Sequence, residues 1–220
     1  MFNIFKKKKK DVIGWNTLPI KYLKLITSIS NDTTLSEDDK ILKITALINN
    51  ISYEELVNLS LDETTELIKT TNFLYTKPKN NKSVRNLNLN GKEYEIIKDI
   101  NDISTAQFID YNSLIGNYDD NIAELLSIFI VPKGHKYNTN YDIKDVVNDI
   151  NEYMTVEEGL SLSNFFIKQY KRYITHSLLY LEVILKAMNK RKLNQITKQR
   201  IEKKITDLKE VQTKISSLVG

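Results

Sequence analysis

Histidines and closely spaced carboxylates are the side chains of this sequence that could define a catalytic or metal site. The chain has two histidines, His135 and His176, and no cysteine. His135 lies between Lys133 and Lys136, a cationic setting that opposes the binding of a metal cation. His176 lies in an aromatic-rich segment with helical spacing, where we expect a packed or capped histidine rather than a catalyst.

Adjacent acidic residues are the other candidates for acid–base or metal chemistry. They occur at Asp38-Asp39, Asp119-Asp120 and Glu157-Glu158. Neighbouring residues point apart on a helix, so these pairs do not share a site, and acids are common in the first turn of helices. The six glycines are scattered and form no phosphate-binding loop. We therefore expect no enzymatic activity, no catalytic residue, no cofactor and no bound metal.

Charge is distributed unevenly along the chain. The net charge is +4, but residues 1–10 carry +5 and residues 186–220 carry +7, which leaves −8 for residues 11–185. An acidic body with basic ends is suited to binding its own copies or an anionic partner. No run of 18 apolar residues occurs, so we expect no transmembrane segment and no membrane partner.

Apolar residues recur at spacings of three and four through most of the chain, which predicts a mainly α fold. Pro19 fits the first turn of the first helix, and Ser52-x-x-Glu55 and Ser104-x-x-Gln107 match capping boxes. The predicted helices cover 15–30, 36–49, a short segment from 52, about 61–74, 104–115, 122–131, 143–154 and 160–188, followed by a helix over 191–219.

A change of period marks one β element. Val84, Leu87 and Leu89 alternate before Asn90-Gly91, and an alternating segment follows. Asn-Gly between such segments is the strongest short-range signal for a β-hairpin, so we predict a hairpin at about 84–98. The expected organisation is a basic tail (1–10), an N-terminal helical region (11–78), a linker with the hairpin (79–98), a helical body (99–188) and a basic amphipathic C-terminal helix (189–220).

The C-terminal helix has a heptad-like apolar seam on a basic background. Its members are Ile201, Ile205, Leu208, Gln212, Ile215 and Val219. We predict that this seam, with Lys203 and Lys204 beside it, contacts another subunit. The alternative is a helical hairpin in which the segment folds back on the Leu160–Met188 helix. Its lysines and arginines could also neutralise phosphates, but direct DNA binding is not favoured because no base-reading motif is present.

Three segments carry a resemblance to a known group of proteins. They are the run 15–22 that opens a series of short helices, the hairpin at 87–94, and the run 99–110. Together they resemble small tail-module proteins of crAss-like and related bacteriophages over roughly residues 15–185. The resemblance implies a structural ring or connector subunit of the portal–tail assembly, found in the virion tail after synthesis in the host cytoplasm. Its partners would be its own copies and other tail or portal proteins. The alternative is a tail-assembly chaperone that is absent from the mature virion.

Overall fold

The computed structural model describes residues 13–79, 87–191 and 195–218. It confirms a mainly α fold with a small β element and a long C-terminal helix. The helices are α1 (Lys21–Asn31), α2 (Glu37–Asn49), α3 (Tyr53–Val57), α4 (Leu61–Lys69), α5 (Thr105–Leu114), α6 (Ile122–Phe129), α7 (Ile143–Tyr153), α8 (Val156–Arg191) and α9 (Gln195–Leu218). The strands are β1 (Leu87–Leu89), β2 (Lys92–Ile96) and β3 (Ile130–Pro132), and 3-10 helices cover Asn72–Tyr75, Ile100–Asp102 and Ile115–Asp120.

Serine side chains start several of the short helices. Both predicted capping boxes are present, with Ser52 and Ser104 each accepting from a backbone N–H three residues later. A third box at Ser60, which the sequence analysis missed, starts α4. The helix predicted to reach residue 74 ends instead at Lys69 and gives way to the 3-10 helix, in which Tyr75 is exposed.

The first helix begins later than predicted, at Lys21 rather than near Trp15. The preceding residues form turns around 15–17 and then a single β-bridge, because the segment pairs with the one before α8. Pro19 forms a β-bridge with Thr155, and backbone hydrogen bonds join Ile20 N to Met154 O at 2.9 Å and Val156 N to Leu18 O at 2.8 Å. Pro19 is therefore not a first-turn residue. The local spacing of apolar residues could not reveal a pairing so distant in sequence.

The predicted hairpin is confirmed, with a third strand beside it. Asn90 and Gly91 both have positive φ, at 53° and 74°, as a type I′ turn requires. Val84, in the predicted first strand, lies outside the described residues. β2 also pairs with β3, where Ile96 is opposite Ile130. The helix predicted over 122–131 consequently ends at Phe129, because Ile130 and Val131 complete the sheet.

The buried residues that the structure describes form two hydrophobic clusters. The larger one joins the sheet to α5–α8, with Phe129 stacked on Phe166 at a centroid distance of 4.0 Å. The smaller one joins α1 and α2 to the start of α8 through Ile44, Ile48 and Val156. The long helix α8 therefore connects both clusters, and its second half extends away from the smaller one.

Candidate interaction surfaces

The C-terminal helix folds back along the second half of α8. Gln212 Nε2 donates a hydrogen bond to Thr175 Oγ1 at 3.2 Å, and Lys209 Nζ lies 3.2 Å from the carboxylate of Glu182. Gln212, which is nearer the end of α9, therefore contacts Thr175, which is nearer the start of α8. The two helices are antiparallel, which is the hairpin alternative considered from the sequence.

This hairpin corrects the prediction that the apolar seam of α9 is reserved for another subunit. Ile205 and Ile215 are buried in the larger cluster of their own chain, and Ile201 and Leu208 pack against it, partly buried. Val219 lies outside the described residues. The periodicity identified an apolar face correctly, but periodicity does not say what covers such a face. Lys203 and Lys204 are exposed and remain available to a partner.

The opposite side of α8 carries an apolar surface that the sequence analysis missed. His176, Leu179, Tyr180 and Val183 are exposed at spacings of three, one and three, which places them on one side of the helix. We call these four residues the outer stripe. Phe165, earlier on the same helix, is also partly exposed. The sequence does contain apolar residues on more than one face of α8. Their spacing alone does not show which face packs against the rest of the chain.

We expected a packed or capped histidine at position 176, but His176 is exposed to solvent. It lines a shallow depression of about 410 Å³ between α8 and the 3-10 helix at 100–102, together with Asp99, Arg172, Tyr173 and Tyr180. Within the described ranges, neither Arg172 nor His176 forms an ion pair. The depression is therefore open, and on its α8 side it carries the positive charge of Arg172, opposite Asp99.

The other predicted chemical candidates are dispersed. His135 is exposed, and its Nδ1 lies 3.2 Å from the carbonyl oxygen of Lys133. Asp39 accepts hydrogen bonds from Ser36 and Tyr53, which lower the pKa of its carboxyl. Glu158 accepts from the backbone and hydroxyl of Thr155. Among the residues that the structure describes, no group of three or more His, Asp or Glu side chains could hold a metal ion.

A buried carboxylate ties the hairpin to α7. Asp149 accepts a hydrogen bond from the Tyr94 hydroxyl, one from Lys92 Nζ at 2.8 Å and one from Asn90 Nδ2 at 3.5 Å. Burial by itself raises the pKa of Asp149, but the hydrogen bonds from Lys92 and Tyr94 together outweigh it and hold the pKa below its usual range. Burial and the bond to Asp149 raise the pKa of Tyr94. All three contacts join the hairpin to α7, so this cluster positions the hairpin.

An acidic surface with apolar residues lies on α3 and α4. Val57 and Leu61 are exposed on either side of the turn that joins the two helices, with Leu61 82% exposed. Being four residues apart, they lie within about 14 Å of each other. Glu54 and Asp62 are exposed beside them, and neither forms an ion pair with another described residue. We call these four residues the acidic patch.

Comparisons with known proteins give no relative for this chain. No protein-family model, no curated protein and no solved structure matches it. In the part of the chain that the structure describes, no helix combines the length and the apolar character needed to cross a membrane.

Proposed function

We propose that this chain is a non-enzymatic structural subunit of a bacteriophage, a ring or connector protein of the portal–tail assembly that acts through head-to-tail association of its own copies. The observation that carries the proposal is the separation of opposite charge along α8. Residues 37–69, from the start of α2 to the end of α4, have eight acidic residues and three lysines, a net charge of −5. Residues 168–218 have thirteen lysines and arginines and four acidic residues, a net charge of +9.

The acidic region packs at the start of the long helix, whereas the basic region follows the rest of it. α2 packs beside Val156 at the start of α8, whereas α9 packs along its second half. The basic region begins at Lys168, twelve residues after Val156, which at a rise of about 1.5 Å per residue is about 18 Å. This exceeds the screening length of about 10 Å at 0.1 M ionic strength, so the opposite charges attract each other weakly within one molecule, whereas they can meet directly between two molecules. Contact between different surfaces on identical subunits generates rings, or filaments where the rotation does not close.

The proposal is tested in phage particles purified from an infected culture whose DNA encodes the chain. We expect mass spectrometry to detect the protein in washed particles in an amount comparable to other minor tail proteins. Detection in the lysate of infected cells but not in particles would contradict the ring assignment and support the tail-assembly chaperone. Absence from both would overturn the bacteriophage assignment itself.

A further inference from the structure

The outer stripe of α8 is an apolar surface with a cationic border. Leu179, Tyr180 and Val183 are all more than half exposed, and Val183 is 65% exposed. Lys168 and Arg172 precede the stripe, and Lys186 follows it, all exposed and without an ion pair to any described residue. Exposed apolar residues bordered by charge are typical of a protein–protein contact whose partner carries the opposite charge.

The acidic patch has the complementary character. Val57 and Leu61 supply apolar side chains, and Glu54 and Asp62 supply unpaired carboxylates beside them. Both surfaces are open to solvent in the isolated chain, so they do not cover each other within one molecule. From these observations we infer that the outer stripe of one copy docks on the acidic patch of the next copy.

Charge also distinguishes this contact from symmetric pairing of two outer stripes. Such pairing would bring Lys168, Arg172 and Lys186 of one copy against the same residues of the other. The carboxylate nearest to the stripe along α8, Glu182, is already paired with Lys209 of α9. Like charges brought together at a contact disfavour it, whereas the acidic patch neutralises the cationic border. The contact is therefore between two different surfaces, as a ring or filament requires.

This inference rests on the proposed head-to-tail association and names the two surfaces that form it. It also gives a role to the depression beside His176. A carboxylate from the acidic patch, such as that of Asp62, would enter beside Arg172, where a guanidinium can bind a carboxylate through two hydrogen bonds.

The contact can be tested by disulfide trapping, because the chain has no cysteine of its own. Leu61→Cys and Val183→Cys are prepared as separate single variants and mixed under mild oxidation. We expect a disulfide-linked dimer in the mixture and little dimer in either variant alone. Ile109→Cys, at an exposed apolar position on α5 (60% exposed), replaces Val183→Cys in the control mixture and should give only background linkage.

Each other outcome overturns the inference. Dimer formation by Val183→Cys alone would mean that two outer stripes pair symmetrically. Equal linkage in the mixture and in its Ile109→Cys control would mean that the linkage reflects random collision. No linkage, although light scattering shows oligomers of the wild-type protein, would mean that other surfaces associate. The absence of linkage would contradict this contact but not the proposed function. If the disulfide-linked dimer forms but the protein is absent from phage particles, the proposed function is wrong and the contact is still supported.

A charge substitution provides a second measurement that does not depend on oxidation. Val183→Asp places a carboxylate within the apolar part of the outer stripe, and we expect it to raise the dissociation constant of self-association at least about tenfold. Ile109→Asp makes the same change outside the stripe and should leave the constant within about twofold. Thermal unfolding of both variants checks that each remains folded. Equal effects of the two substitutions would overturn the inference.

Discussion

At the scale of single residues, Asp149 gives the clearest prediction of stability. Its carboxylate accepts hydrogen bonds from Lys92, Tyr94 and Asn90, all on the hairpin. Asp149→Asn keeps the shape but removes the charge that these donors satisfy. We expect the free energy of unfolding to fall by about 1–3 kcal/mol. Asp145→Asn, at an exposed position of the same helix, is the matched control and should change it by less than about 0.5 kcal/mol.

The same carboxylate makes part of the stability depend on pH. The folded pKa of Asp149 lies below its ordinary value, so its contribution is complete above the unfolded pKa of about 3.9 and is lost as the pH falls through the folded value. Chemical unfolding should therefore show a constant difference between wild type and Asp149→Asn near neutral pH, and a shrinking difference below about pH 4. A difference that grows on acidification would contradict this assignment.

Single-residue features were predictable where their partners are close in the chain. Ser52 and Ser104 were found because a capping box spans four residues, and Asn90-Gly91 because a turn is local. Asp149 was missed because its donors lie on a hairpin more than 50 positions earlier. His176 was misplaced because its segment is apolar on several sides, and composition does not show which side faces the body.

At the scale of elements, α9 should depend on the residues that attach it to α8. Ile215 is fully buried, so Ile215→Ala should lower the free energy of unfolding by about 2–5 kcal/mol, through lost burial and a cavity. Ile196→Ala, at an exposed position on the same helix, should change it by less than about 0.5 kcal/mol. Both are compared by denaturant unfolding under conditions where the protein is monomeric. Equal small effects would mean that α9 is not an integral part of the fold.

The close approach of α8 to the segment before α1 gives a second prediction at this scale. A methyl group on Gly159 would overlap Cδ1 of the buried Ile20. Gly159→Ala should therefore destabilise the protein by about 1–3 kcal/mol, although alanine usually favours a helix over glycine. Gly116→Ala, where nothing lies within 4 Å, is the control. Adding Ile20→Val removes the overlapping methyl, so a double-mutant cycle should show a favourable coupling between the two positions.

Elements with strong periodicity were predicted well, and those defined by distant pairing were not. The spacing in α2, α7 and α8 is sufficient to identify each helix. β3 was assigned to a helix because its residues continue the apolar run of α6, while the open edge of β2 that recruits them is more than 30 residues earlier. The apolar seam of α9 was predicted correctly, but the surface that buries it was not. An apolar face can pack against a neighbouring helix of the same chain as well as against another subunit.

At the scale of the whole molecule, self-association should be sensitive to salt. Electrostatic screening reaches over about 10 Å at 0.1 M ionic strength and about 3 Å at 1 M. If opposite charges draw copies together, the average mass from light scattering should fall as sodium chloride is raised. An average mass that rises with salt would indicate an association driven mainly by apolar contacts.

Charge reversal tests the same attraction at constant salt. Lys203→Glu with Lys204→Glu lowers the charge of the basic region from +9 to +5, and we expect at least about threefold weaker self-association. Lys136→Glu with Lys144→Glu makes the same change in total charge at exposed positions outside that region. Equal weakening by both pairs would show that net charge, and not its placement, controls association.

The bridge between Pro19 and Thr155 sets a limit on the order of events during synthesis. Positions 19 and 155 are 136 residues apart, so residues 18–20 have no β-bridge partner until the start of α8 has left the ribosome, whereas Trp15 can already contact Phe73 and Thr76. Closing so large a loop is entropically unfavourable and slows folding relative to the local helices. A nascent chain stalled before residue 154 should therefore hold α2–α4 as local structure while residues 18–20 stay open to protease. In the proposed contact, the acidic patch has a fixed orientation relative to the outer stripe only after that segment is pinned, so assembly through these surfaces would wait until translation is well advanced.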